Sequence, residues 1–237
     1  MSSFGQYVDG KTIAIVGPAP VPYDQSAEID AHDIVYRTTY GSSSADRPQP
    51  GRFPTGTGTR VDMSFYNAGY SRQAADGYLD DVYPDLKWAV HKIDPTHQTS
   101  LTNIRRANKP TMINGKVVHA TQIPIMLYDL TFFHPEKVTV FGADFYLGPV
   151  ETWYDANYTK SDWFMNPTAD RPDPTSAMGP AFHNQELNRQ IVRSIRDAVN
   201  WLAGDQRFLE ALDVPRHVHE AAMAEQSARF NKTASTV

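Results

Sequence analysis

Short apolar runs that stop at a glycine constrain the fold of this chain more than any other feature. The two clearest are KTIAIVG at 11–17 and KVTVFG at 137–142, and similar runs stand at 33–37, 61–67 and 87–90. Runs of this length that are rich in β-branched residues and bounded by turn residues are typical of buried parallel strands. The sequence therefore predicts a mostly parallel sheet.

Helical patterns separate and follow these runs. They cover 71–81, 121–133 and 184–203, and an amphipathic tail helix is expected from about 215. In the longest pattern, apolar residues recur every three to four positions, as a helix with one buried face requires: Leu187, Ile191, Ile195, Val199 and Leu202. Strands that alternate with helices predict an α/β fold with right-handed crossovers and helices flanking the sheet.

The length of 237 residues fits one domain of this kind. We expect a single domain over 1–237, with a core at about 11–213 and a helical tail at about 214–237. Neither an internal repeat nor a linker divides the chain.

Charge and composition exclude several classes of function. The formal net charge is −5 and no basic block occurs, so binding to nucleic acid through phosphate contacts is not expected. The chain has no cysteine, which excludes a disulfide framework, a thiolate metal site and a cysteine nucleophile. No signal-peptide pattern and no apolar run of about 18 residues is visible, so we expect a cytoplasmic protein without a membrane span.

Polar residues and glycines follow the predicted strands. Ligands of open parallel sheets bind at the carboxyl ends of the strands. We therefore expect Arg37, Thr38, Thr39 and Gly41, which end and follow the second run, to face a ligand.

The first strand is followed by Gly17 and Pro18. A single glycine there matches neither the three-glycine dinucleotide fingerprint nor a phosphate-binding loop with Lys. Two interpretations stand side by side: close approach of the backbone to a ligand, or a tight turn.

The segment after the 137–142 run is acidic and aromatic. Asp144 and Tyr146 follow the strand directly, and Trp153, Tyr154 and Tyr158 come soon after. Asp144 has the position of an ordinary turn residue. The aromatic segment either packs on itself as a lid or offers phenol hydrogen bonds to a phosphate group.

His183 immediately precedes the predicted helix at 184–203, in which Asn184 has the position of a cap and Glu186 follows on the next turn. A helix N-terminus favours anions and the neutral imidazole, which suits a general base, although a histidine beside a cap is also commonly structural.

His217 and His219 are interpreted as part of a solvated face of the tail helix. No Asp-x-Asp stands at a strand end, so no metal site is predicted.

Four segments in order resemble the sialyltransferase superfamily, both its animal-type and its short bacterial enzymes. The segments are IAIVGPAPVPYDQSAEIDAHDIVYRTTYG with GTRVDMSFYN, then HATQIPIMLYDLTFFHPEKVTVFGADFYLG, then TWYD, then FHNQE. They are similar to the long donor-binding motif, the short motif, the small third motif and the final motif with its histidine. The resemblance covers most of residues 12–195.

The resemblance implies a single Rossmann-like domain of the sialyltransferase type, a variant of the GT-A fold, and metal-independent transfer from a CMP-sugar with inversion. His183 would be the general base, and Tyr146 and Tyr154 would hydrogen-bond the departing phosphate. His119 and Thr121 match positions near the donor carboxylate. The remaining positions implied to bind the donor or its nucleotide are Gly17, Pro18, Arg37, Thr38, Thr39, Gly41, Asn67, Gly142 and Asp144.

Four positions depart from the family pattern. Pro18 and Thr39 stand where the family has Asn, and His119 stands where the bacterial enzymes have Arg. Thr121 begins a Thr-Gln-Ile sequence in place of Ser/Thr-Ser/Thr-Gly. Threonine lacks the paired donor and acceptor of an amide, so the departures bear on which nucleotide or sugar is bound.

Three hypotheses of function follow. The first is transfer of sialic acid or a related acidic sugar to a hydroxyl acceptor, with no cofactor. The second is a non-catalytic nucleotide-sugar-binding protein, and the third is a nucleotide-sugar hydrolase or glycosidase on the same fold. The acceptor is expected to contact the variable segments 42–59 and 156–180, and the oligomeric state stays open.

Overall fold

A seven-stranded sheet, all of whose pairings are parallel, is the centre of the molecule in the residues that the structure describes. The structure is a computed structural model and describes residues 3–40, 53, 55–67, 82–93, 103–110, 112–113, 116–117, 120–145, 147 and 185–234. The strands are β1 (Thr12–Val16), β2 (Ile34–Thr38), β3 (Met63–Tyr66), β4 (Trp88–His91), β5 (Asn103–Arg106), β6 (Met112–Ile113), β7 (Lys116–Val117), β8 (Lys137–Phe141) and β9 (Leu202–Gly204). β6 and β7 form a small antiparallel pair outside this sheet.

Helices flank the sheet. They are α1 (Ser3–Val8), α2 (Ser26–Asp30), α3 (Gln122–Leu130), α4 (Gln185–Ala198), α5 (Gln206–Asp213) and α6 (Arg216–Ala234), with a short 3-10 turn at Tyr83–Asp85. None of the helices in the described ranges has the length and apolar character needed to cross a membrane. The predicted α/β fold with a mostly parallel sheet is confirmed.

The strand order β5-β4-β3-β2-β1-β8-β9 places a topological switch point beside β1. From β1 the chain steps outward to β2 on one side, and it later returns to β8 on the other side. The connections that leave β1 and β8 therefore lead to strands on opposite sides of the switch point, β2 and β9. In open parallel sheets ligands bind at the carboxyl edge beside such a switch point.

The core lies on both faces of the sheet. Ile13 and Ile15 of β1 pack into the larger cluster with α1, α3, α4 and α5, whereas Ala14 and Val16 face Ile29 of α2. Because both faces of β1 are buried, its sequence is a continuous apolar run and does not alternate between apolar and polar residues.

Polar side chains fasten the amino edge of the sheet. The carboxylate of Asp33 accepts hydrogen bonds from the backbone N–H and the hydroxyl of Thr12, at 2.9 and 3.0 Å. The Oγ1 atom of Thr139 lies 3.2 Å from Nε2 of His32, and Asp62 accepts the N–H of Val35 at 2.8 Å. The Asp-x-His-Asp sequence before β2, residues 30–33, thus joins strands of the sheet on the side away from the loops that follow β1 and β8.

Two arginines of α4 hold the end of α5. Both Arg189 and Arg193 donate to the carbonyl oxygens of Leu212 and Val214, which lie at and just beyond the last turn of α5. Cationic donors at this position satisfy carbonyls that have no partner within the helix and oppose the negative end of its dipole. This contact explains why Arg189 is fully buried.

The helix predicted at 184–203 is shorter than expected. It ends at Ala198, and Leu202 belongs instead to the edge strand β9, which pairs with β8. A three-residue strand is too short to show a period of its own, so Leu202 fitted the helical period by coincidence. Strand β5 was not predicted because its sequence, NIRR, is polar and partly exposed at the other edge. The pattern at 71–81 lies outside the described residues.

We expect the stability of the fold to fall on acidification because of His91. This side chain is fully buried and stacks on Tyr66, and burial lowers its pKa to about 4. The native state therefore favours the neutral ring. The stability that depends on the neutral His91 ring is fully present above the unfolded pKa of about 6.5. As the pH falls toward 4, the free energy of unfolding decreases by up to about 3 kcal/mol.

Urea unfolding between about pH 7 and about pH 4 measures this effect in the wild type and in His91→Phe. The phenylalanine variant should show a weaker pH dependence across that window. The control His134→Gln, which alters a side chain that is 85% exposed, should keep the wild-type slope. An unchanged slope in His91→Phe would contradict the assignment.

Candidate functional site

The loops after β1 and β8 touch through their backbones. Gly17 N donates to Phe141 O at 2.9 Å, and Ala19 N donates to Gly142 O at 2.8 Å. A Cβ on Gly17 would lie only 2.5 Å from Gly142 O, and Gly142 itself has a φ of +59°. Glycine is therefore required at both positions by the contact between the loops. The packing against Gly142 is a structural role for Gly17 that neither interpretation of its sequence position named.

Thr39, just after β2, has a left-handed backbone with a φ of +52°. This conformation is unfavourable for a β-branched residue and persists only where surrounding contacts impose it. Two contacts do so here: the N–H donates to Phe65 O at 2.9 Å, and Oγ1 donates to Oε1 of Gln122 at 3.0 Å. Gln122 is the first residue of α3, although 83 positions separate it from Thr39.

The N-terminus of α3 is the meeting point of several elements. Thr121 N donates to Oδ1 of Asn188 on α4 at 2.9 Å, and the Thr121 side chain makes no capping hydrogen bond. Lys92, after β4, donates from Nζ to Ala120 O at 2.9 Å, and burial lowers the pKa of this ammonium group. The structure thus brings Thr39 and Thr121 of the predicted site to the same helix end.

Arg37 and Thr38 are buried, at 2% and 3% exposure. The guanidinium of Arg37 donates to Thr57 O and Arg60 O, both at 2.7 Å, and stacks over the ring of Phe53. The Thr38 hydroxyl donates to Val16 O. The contacts of Arg37 fasten residues 57–60 to β2, which is a structural role for Arg37 in the described part of the chain.

The loop after β8 is fastened by residues beyond β9. Asp205 caps α5 by accepting Phe208 N at 2.7 Å, and its other oxygen accepts Gly142 N at 2.9 Å. Asp144 forms a 2.6 Å ion pair with Arg207, which also donates to Pro20 O at 3.2 Å. Arg207 therefore links the loops on both sides of the switch point.

The other predicted site residues divide into two groups. Pro18 and Asn67 follow β1 and β3 and are partly exposed at the same edge of the sheet. The remaining predicted residues lie outside the described ranges: Gly41, His119, Tyr146, Tyr154 and His183.

The interpretation of His219 as part of a solvated face is wrong. Its side chain is fully buried, because α6 packs against Phe145 and Glu186, whereas His217 on the same helix is exposed. A helical period shows which residues share a face but does not show which face a distant segment covers.

Sequence reasoning also missed Gln122, Asp205 and Arg207. For Asp205 a signal existed, since Asp before an amphipathic segment is a typical helix N-cap. The partners of Gln122 and Arg207 are distant in the sequence, so no local pattern indicates them.

Within the described ranges, no group of three His, Asp or Glu side chains is arranged to hold a metal ion. No protein-family model matches the chain, and no curated protein matches it.

We expect Thr39→Asn to raise the free energy of unfolding by about 1 kcal/mol, because asparagine tolerates the left-handed backbone better than a β-branched residue and its amide N–H can replace the hydroxyl as the donor to Gln122. Thr38→Asn is the matched control. It alters a buried position one residue earlier, within β2, and should lower stability, because asparagine is unfavourable in a strand. Urea unfolding of both variants measures the difference. A loss of stability in Thr39→Asn equal to that in Thr38→Asn would contradict a strained backbone at Thr39.

Proposed function

We propose that the protein is a metal-independent inverting glycosyltransferase that transfers sialic acid or a related acidic sugar from a CMP-sugar to a hydroxyl acceptor. The observation that carries the proposal is the 3.0 Å hydrogen bond between Thr39 and Gln122. Thr39 belongs to the segment that resembles the long donor motif, and Gln122 to the segment that resembles the short motif. Their meeting at the carboxyl edge of the sheet is the arrangement that a shared donor site requires.

The backbone at Thr39 gives further support. The resembled family has asparagine at this position, and asparagine is among the few residues that enter the left-handed region readily. The φ of +52° therefore suits the family residue better than the threonine present. The substitution changes the chemistry offered to a nucleotide, while the backbone keeps the conformation that asparagine favours.

In the proposed reaction His183 removes the proton from the acceptor hydroxyl. It stands two residues before the first residue of α4 in the sequence, and a helix N-terminus favours the neutral imidazole that a base requires. The acceptor oxygen attacks the anomeric carbon, and the bond from that carbon to the CMP phosphate breaks. Tyr146 and Tyr154 donate hydrogen bonds to the phosphate as its negative charge develops.

Nucleotide binding and turnover test the proposal directly. We expect CMP to raise the melting temperature more than UMP, GMP or AMP, and a CMP-sugar with acceptor to release CMP equally well with and without EDTA. Preference for a purine nucleotide would contradict the donor assignment. CMP release without acceptor would indicate the hydrolase, and binding without any turnover would indicate the non-catalytic protein.

Replacement of His183 separates catalysis from binding. His183→Ala should lower kcat by about 10²–10⁴-fold, the usual contribution of a general base, and should change the Kd for CMP only slightly. His134→Ala, at a largely exposed position, is the matched control and should keep both constants. Unchanged turnover in His183→Ala would show that another group, or none, acts as the base.

A further inference from the structure

The loop after β8 is held in place from one side. Three side chains from beyond β9 reach it: Asp205 accepts Gly142 N at 2.9 Å, Arg207 pairs with Asp144 at 2.6 Å, and Nε2 of His219 lies 3.1 Å from Phe145 O. All three lie outside residues 12–195, the stretch with family resemblance. The C-terminal segment thus fixes a loop that contains Gly142 and Asp144 of the predicted donor site.

The loop needs such support because its backbone is strained. Phe145 has a φ of +50°, a left-handed conformation that is rare for a residue other than glycine, asparagine or aspartate. Strained residues of this kind persist only when the surrounding structure imposes their conformation. The ring of Phe145 lies 6.0 Å from that of Phe208, and its carbonyl faces His219.

The protonation of His219 follows from its surroundings. A carbonyl oxygen only accepts, so Nε2 carries the hydrogen that is donated to Phe145 O. Burial lowers the pKa of this imidazole and favours the neutral ring, whose Nδ1 then has a lone pair. Nδ1 has no hydrogen-bond partner in the described residues, and the Glu186 carboxylate, 3.7 Å away, is bound by Arg189 at 2.8 Å.

We propose that His219 is a positioning residue that holds the Gly142–Phe145 loop in its donor-binding conformation through its hydrogen bond to Phe145 O. The role in donor binding rests on the function proposed above. Tyr146, which the proposed reaction uses, follows Phe145 directly in the sequence. Through this hydrogen bond helix α6 supports the proposed donor site.

Two substitutions test this hydrogen bond, because their side-chain amide nitrogens lie at different distances from the backbone. In His219→Gln the amide nitrogen takes the place of Nε2 and keeps the donor, whereas in His219→Asn it takes the place of Nδ1 and does not reach Phe145 O. His217→Gln, on the exposed side of the same helix, is the surface control. Leu212→Val, which trims a buried core residue of α5, is the control for general loss of stability.

Hydrogen exchange of peptides covering 142–145 is the readout that does not depend on any ligand. We expect His219→Asn to exchange at least about tenfold faster there, and the His219→Gln and His217→Gln variants to exchange as the wild type does. Unchanged exchange in His219→Asn, or equal acceleration in Leu212→Val, would overturn the positioning role.

The Kd for CMP, measured by calorimetry, tests the link to donor binding. We expect it to rise at least about tenfold in His219→Asn and to be restored in His219→Gln. A loosened loop with an unchanged Kd would overturn this link. Absence of CMP binding by the wild type would overturn the proposed function instead, and the exchange data would then decide the loop-holding role alone.

Discussion

The backbone contact between Gly17 and Gly142 is the constraint on which the carboxyl edge of the sheet depends. Neighbouring parallel strands lie about 4.8 Å apart, and here the loops leaving β1 and β8 turn toward each other at once. A side chain on either glycine would approach a carbonyl oxygen to 2.5 Å. The two loops therefore share one arrangement, and a change in one must displace the other.

Buried polar side chains fix the remaining geometry of the molecule. Asp129 of α3 is fully buried and is bound by Arg105 of β5 and by the N–H of Asn108, at 2.9 and 2.7 Å. A buried carboxylate is tolerated only when its oxygens are paired in this way. The pair ties α3 to the edge strand, while Arg189 ties α4 to the end of α5. The helices α3, α4 and α5 are thus fixed by specific polar contacts as well as by apolar packing.

Elements with a local signal in the sequence were predicted, whereas features that depend on distant residues were not. Strands β1, β2, β3, β4 and β8 were predicted within one or two residues, because their apolar composition is itself the local signal. Strand β5 was missed because this edge strand has few apolar residues. Strand β9 was missed because its residues were assigned to the predicted helix at 184–203. In the site, Thr39 was predicted near a ligand, but its left-handed backbone and its bond to Gln122 were not.

By itself the sequence determined the α/β class, the approximate bounds of the central strands and the positions where polar residues leave the sheet. These properties depend on the period of apolar residues and on turn residues, both of which act over a few positions. Only the tertiary structure decided that Arg37 fastens residues 57–60, that His219 is buried against Phe145, and that Arg207 links the loops of β1 and β8. Each of these outcomes depends on which distant segment comes to cover a polar side chain, and no local pattern encodes that partner.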